Sequence, residues 1–214
     1  LLLYLGYMIL FADRTVMNIS LAYIGKDFHV GAAALGATAS AFFLGYTLMQ
    51  IPGGYLTDKF GSKLMVIISL FAWSLMTMVT GWAWSLAALI AIRFLFGIAE
   101  GPYPAAALKR ISENYDKSEK SQATSALISS NYAGAAVAPL IIVPIIASNG
   151  WRNAFVWLGV GGFIILLAYY LVERPINSSQ EKGQPRPKIE WKKIDHRVWA
   201  FVVIGLALHI ITKG

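Results

Sequence analysis

Six runs of about twenty apolar residues, with few charges inside them, constrain this chain more than any other feature. They are 1–24, 33–53, 64–81, 85–108, 123–147 and 153–172, and a seventh opens near Val198. A bilayer hydrocarbon core about 30 Å thick takes roughly 20 apolar residues per spanning helix. Each run therefore reads as one transmembrane helix. Composition agrees: 57% of the 214 residues are hydrophobic and 14% charged, against about a quarter charged in a soluble domain. The first run is too long for a signal peptide and carries Asp13 and Arg14 at its middle. No methionine starts the chain and the seventh run is unfinished at Gly214, so the chain reads as a piece of a longer protein. Cysteine is absent, which excludes disulfides, thiolate metal sites and cysteine nucleophiles.

The net charge of +7 does not point to nucleic acid, because the basic residues sit in alternate loops. Lys59, Lys63, Lys109, Arg110, Lys117, Lys120 and the seven basic residues between 174 and 197 fall on one side; Lys26 and Arg152 fall on the other. Positive charge gathers on the cytoplasmic side of membrane proteins. The amino terminus and the 173–197 segment are thus expected in the cytoplasm. That segment, with Pro175, Gly183, Pro185 and Pro187 among mixed charges, reads as a linker between two helical bundles. Within it, residues 189–194 form a short amphipathic piece suited to the membrane surface. The expected organisation is an all-α membrane protein: a six-helix amino-terminal bundle at 1–172, a linker at 173–197 and the start of helix seven at 198–214. Tryptophans at 82, 84 and 151 flank the outer turns, where an interfacial belt would place them. Gly97, Gly101, Gly134 and the alanines at 135, 136 and 138 read as close helix packing.

Ionisable groups at membrane depth are costly unless paired or hydrated. Four occur: Asp13, Arg14, Arg93 and Glu100. Adjacent helical residues point about 100° apart, so Asp13 and Arg14 serve different partners. Arg14 is expected to face a central cavity, where its planar fork holds a substrate carboxylate. Asp13 then turns toward helix four. There Arg93, Gly97, Glu100 and Pro104 share one face, and Asp13 competes with Glu100 for Arg93. Burial favours a protonated carboxyl and a nearby arginine favours a bare one, so an arginine moving between partners would switch Asp13 and Glu100 between proton release and uptake. Tyr46 and Gln50, one turn apart on helix two, are candidates for binding substrate hydroxyls, as are Ser129 and Asn131 on helix five. His29 reads as a solvated loop residue, and nothing is assigned to His209 or Lys213.

Between runs two and three stands Gly54-Tyr-Leu-Thr-Asp58-Lys59-Phe-Gly61-Ser-Lys63. It resembles the signature of the major facilitator superfamily, Gly-xxx-Asp-(Arg/Lys)-x-Gly-x-(Arg/Lys), at all fixed positions. The resemblance implies that Asp58 caps a neighbouring helix and pairs with basic residues, here Arg110 or Lys109, as a conformational latch with Gly54, Lys59, Gly61 and Lys63. Asp13-Arg14, Phe42 to Tyr46, Gln50-Ile-Pro-Gly-Gly, Arg93-xxx-Gly97-xx-Glu100-Gly101 and Gly150-Trp151-Arg152 are similar to the anion:cation symporter branch, which includes carriers of hexuronate, galactonate, other organic acids, sialic acid and vesicular glutamate. At one position the chain departs: Phe11 stands where the branch often has tyrosine, removing a hydroxyl contact there.

The branch implies proton-coupled symport of a small organic anion by a monomer, with Arg14 on the anion and Asp13 and Glu100 on protons. No cofactor, metal or nucleic acid is expected, and the location implied is the plasma membrane, a bacterial inner membrane foremost. Rival expectations are an organophosphate:phosphate antiporter, against which Asp13 argues, a drug:proton antiporter, and a membrane sensor keeping the carrier fold without moving substrate. An enzyme has the least support, since no nucleophile set, metal cluster or phosphate-binding loop appears.

Overall fold

The computed structural model describes residues 1–173. The readings of residues 174–214, including the rest of the linker, the 189–194 piece, the start of helix seven, His209 and Lys213, fall outside the described residues. Among those described there is no strand. The elements are α1 (Leu2–Phe28), α2 (Ala32–Phe60), α3 (Ser62–Gly81), α4 (Leu86–Glu100), α5 (Tyr103–Asn114) and α6 (Lys120–Val172).

Local chemistry explains where the helices stop. His29 ends α1 in the left-handed region (φ 53°), its N–H bonded back to the carbonyl of Gly25. One residue, Gly61, joins α2 to α3 at φ 89° and ψ 151°, a region closed to residues with a Cβ. Ser85 opens α4 by accepting the Ala88 N–H at 3.1 Å, the usual service of a capping serine.

The fourth run, expected as one helix from 85 to 108, is one membrane-length span from Leu86 to Asn114; a gap in its hydrogen bonds at Gly101–Pro102, where proline has no N–H to give, parts α4 from α5 while both residues keep right-handed helical angles. Runs five and six, expected as separate helices around a four-residue turn, are two helices that meet at a kink at Gly150, which lies at φ 80° and ψ 162°; α6 labels both limbs. Straight, 53 residues would extend about 80 Å, far beyond a bilayer. They fold back instead: Gly134, before the break, abuts Met8 of α1, and a Cβ on Gly161, after it, would touch Ile9. Both limbs of α6 thus run along α1.

The interior falls into two apolar clusters. One gathers Val16, Ile24, Leu89, Ile146, Trp151 and Phe155; the other gathers Leu10, Phe42, Trp73, Phe96, Tyr103 and Tyr169. Large apolar side chains also line the outside: Leu48 and Ile51 on α2, Leu140 on α6 before Gly150, and Leu167 and Leu171 after it are all exposed. A water-soluble fold does not leave contiguous apolar faces bare, whereas lipid accepts them. Trp82 and Trp84 project from the short turn between α3 and α4.

Candidate functional site

Backbone approach between α2 and α4 sets the depth of the site. A Cβ on Gly97 would run into the carbonyl oxygen of Phe42 and lie 2.7 Å from the Tyr46 nitrogen, and one on Gly45 would run into the carbonyl oxygen of Phe94. Only glycine at both positions lets the two backbones touch, in the manner of close-packed membrane helices. The crossing puts Phe42 and Tyr46 beside the α4 face that carries Arg93 and Glu100.

Four charges then pair across two helices. Asp13 is fully buried and accepts a hydrogen bond from Arg93 Nη1 at 2.7 Å. Arg14 turns the other way and donates from Nη2 to Oε1 of Glu100, which is also fully buried. Arg93 and Glu100 stand seven residues apart on one face of α4, about 10 Å along its axis. Adjacent residues on α1 therefore reach two levels of α4, and the pairs cross-link the helices in parallel. Each pair holds capacity in reserve: Oδ2 of Asp13, Oε2 of Glu100 and Nε and Nη2 of Arg93 have no protein partner.

Arg14, expected to face a cavity, lines one between α1, α2 and α4, with Nη2 of its fork engaged by Glu100. Aromatic rings surround its guanidinium, with centroids at 4.6 Å for Phe11 and 5.0 Å for both Phe42 and Tyr46. These rings stabilise a cation while withholding water. A fifth of the Arg14 side chain stays accessible, against 3% for Arg93. Both arginines line the cavity, and Arg14 is the more accessible of the two. Sequence reasoning named Tyr46 but missed the Phe11 and Phe42 faces of this box. It also missed Tyr7, one turn before Phe11, which stacks on it at 5.5 Å. The apolar spacing along α1 and α2 was visible, but which rings would face Arg14 was not.

The remaining candidates scatter. Tyr46 lends its ring to the Arg14 guanidinium, and Gln50 stands one turn further along α2. Asn131 is half-buried with its Oδ1 unpartnered, whereas Ser129 is exposed and bonds back to the carbonyl of Ala126 at 2.8 Å. In the signature loop, Asp58 receives Lys109 Nζ at 2.9 Å. Lys109 also donates to the carbonyl of Thr57 at 3.3 Å. Arg110, the other expected partner, is buried elsewhere, donating to Glu173 with Glu113 at 3.8 Å. Lys63 donates to the Glu173 carbonyl at 2.6 Å, and Lys59 lies over the Phe60 ring. A Cβ on Gly54 would meet open space. At the opposite end of the bundle Arg152 pairs with Asp27 and donates to the carbonyl of Ala83 at 3.1 Å, a lock that sequence reasoning did not find.

Helices of membrane-spanning length thus bring two ion pairs together around Arg14, a fifth of which stays accessible. The chain belongs to the Major Facilitator Superfamily, whose family model matches residues 3–212. It is 31% identical to a probable sulfoacetate transporter of Cupriavidus necator over 90% of the chain and 45% of that protein. It is 28% identical to a probable L-galactonate transporter of Escherichia coli K12 over 81% of the chain and 38% of that protein. With the hexuronate transporter of Bacillus subtilis the identity is 27%, over 85% and 43% respectively. These names fall in the organic-anion branch that the sequence motifs resemble. The chain spans less than half the length of these relatives. Among solved structures, a bacterial homolog of the human lysosomal transporter Spinster, inward-facing and unoccupied, superposes with a TM-score of 0.75 at 25% identity, over 90% of this chain and 45% of that one. A peptide transporter in complex with sulfate shares the fold alone, with a TM-score of 0.70 at 17% identity, over all of this chain and 46% of that one.

Proposed function

We propose that the carrier containing this chain is a proton-coupled symporter of a small organic anion, a sugar acid foremost, working by alternating access. The observation that carries the reading is the crossed pairing of Arg93 with Asp13 and Arg14 with Glu100. Two arginines and two carboxylates sum to zero charge. An anion that takes the Arg14 fork displaces Glu100 and brings the sum to −1. A buried unpaired charge costs several kcal/mol, so a proton on Glu100 restores neutrality and lets the loaded site close. Substrate and proton then move together because neither half-loaded state can be occluded cheaply.

In this reading residues 1–172 are one of two bundles that close on the substrate. Related carriers place such sites at the midplane between halves. Tyr46, Gln50 and Asn131 supply polar contacts, Asp13 and Arg93 set the charge of the pair beside them, and the Asp58–Lys109 contact belongs to the latch on the cytoplasmic side. The amino terminus faces the cytoplasm, the membrane is a bacterial inner membrane, and the carrier acts as a monomer. Relatives named for sulfoacetate, galactonate and hexuronate support the anion class.

The test is uptake of labelled D-galactonate, D-glucarate and sulfoacetate into proteoliposomes holding the intact carrier, with the outside made acidic. Accumulation above the outside concentration that collapses with a protonophore is expected. Binding of these acids with no transport would favour the sensor reading, and exchange that needs internal phosphate would favour the antiporter.

A further inference from the structure

One polar side chain at membrane depth takes no part in the pairing above. Asn18 lies four residues beyond Arg14 on the same face of α1, about 6 Å further along the axis. It is exposed and makes no hydrogen bond among the described residues. A carboxamide carries two N–H donors and an acceptor, and leaving them unsatisfied in hydrocarbon costs several kcal/mol. Asn18, with Arg14, Thr38, Phe42 and Phe96, lines a cavity of about 100 Å³ between α1, α2 and α4. At ~30 Å³ per liquid water, that space holds a few waters or a short hydroxylated carbon segment. Within the cavity, Thr38 spends its proton on the Leu35 carbonyl at 2.6 Å. The amide of Asn18 is therefore an unspent, uncharged donor at the cavity, beside the unpartnered Nε and Nη2 of Arg93.

We infer that Asn18 is a specificity-determining residue: it reads a hydroxyl of the bound acid while Arg14 holds the carboxylate. This rests on the carrier reading above and extends it to the orientation of the substrate. With carbon–carbon bonds of about 1.5 Å, a hydroxyl on the third or fourth carbon lies on the order of 5 Å from the carboxylate, which matches the offset between Arg14 and Asn18. The polyhydroxy chain then extends from Arg14 toward Thr38, and the Phe42 and Phe96 rings cover its carbon face.

The experiment measures KM for D-galactonate and for its 3-deoxy and 4-deoxy analogues in proteoliposomes holding the intact carrier, as wild type, Asn18→Ala and Asn18→Ser. Loss of one hydrogen bond of ordinary strength corresponds to roughly three- to tenfold in affinity. Asn18→Ala is expected to raise the galactonate KM by that factor, and Asn18→Ser, which keeps a donor, by less. One of the two deoxy acids is expected to be weaker already on the wild type and to lose nothing more in Asn18→Ala. A galactonate KM within twofold of wild type in Asn18→Ala, or both deoxy acids weakened as much as galactonate, would overturn the assignment. Failure of the wild type to take up any of the three acids would instead strike the carrier reading, and this inference with it.

Discussion

Replacing Glu100 by glutamine separates anion binding from proton coupling, and the size of the effect follows from the pair it breaks. Glu100 is fully buried, with Oε1 on Arg14 and Oε2 without a protein partner. Glutamine keeps the shape and one acceptor but removes the negative charge and the place for the transported proton. Hydrogen bonds to charged groups contribute about 1.5–3 kcal/mol and neutral ones about 0.5–1.5. Glu100→Gln thus weakens the internal competitor for Arg14 by about 1–1.5 kcal/mol, or roughly tenfold in the dissociation constant of the anion. The sign is toward tighter binding.

In the wild type each bound anion brings a proton, so its dissociation constant should fall about tenfold per unit of falling pH wherever Glu100 begins bare. In Glu100→Gln that slope vanishes. Isothermal titration with D-galactonate across pH checks both numbers. A matching transport assay compares accumulation driven by a proton gradient, expected to be lost, with counterflow of preloaded galactonate, expected to persist. Undiminished proton-driven accumulation by Glu100→Gln, or a pH slope equal to wild type, would refute the reasoning.

The other charge pair gives a stability prediction. Arg93→Met leaves Asp13 bare in a dry site and should cost about 3–5 kcal/mol; adding Asp13→Asn should recover most of it in thermal unfolding in detergent, without restoring transport. Gly97→Leu drives a side chain into the Phe42 carbonyl and should cost at least about 1–3 kcal/mol, whereas Gly31→Ala, which meets no atom within 4 Å, should stay within about 0.5 kcal/mol. Gly54 also has open space around a built Cβ, so Gly54→Ala should hold or raise the melting temperature, by up to about 1 kcal/mol of stability. A slowed uptake in that same variant would place the need for this glycine in another state of the transport cycle.

Several parts of this result were legible along the chain because the physics behind them is local. Twenty apolar residues in a row state a membrane span without reference to any neighbour. The periodicity of a single helix was enough to put Arg93 and Glu100 on one face of α4 and to part Asp13 from Arg14. The signature loop was readable by its resemblance to the superfamily's motif, and its Gly61 stands at a joint of positive φ between two spans. What hydropathy did not locate is the backbone detail inside the spans, the gap at Gly101–Pro102 and the kink at Gly150, because it measures burial and not backbone geometry.

By itself the sequence determined an all-α membrane bundle, the superfamily, and the four charges inside its spans. It left open which acid meets which arginine, since that depends on the rotation and depth of one helix against another. The Gly45–Gly97 contact decides that depth by drawing α4 onto α2, and with it Arg93 goes to Asp13 and Arg14 to Glu100. Packing likewise gave Lys109 rather than Arg110 to Asp58, and it left Asn18 facing a cavity with its hydrogen bonds unspent. Partners chosen across helices are set by close contact between surfaces far apart in the chain, which no period of 3.6 residues encodes.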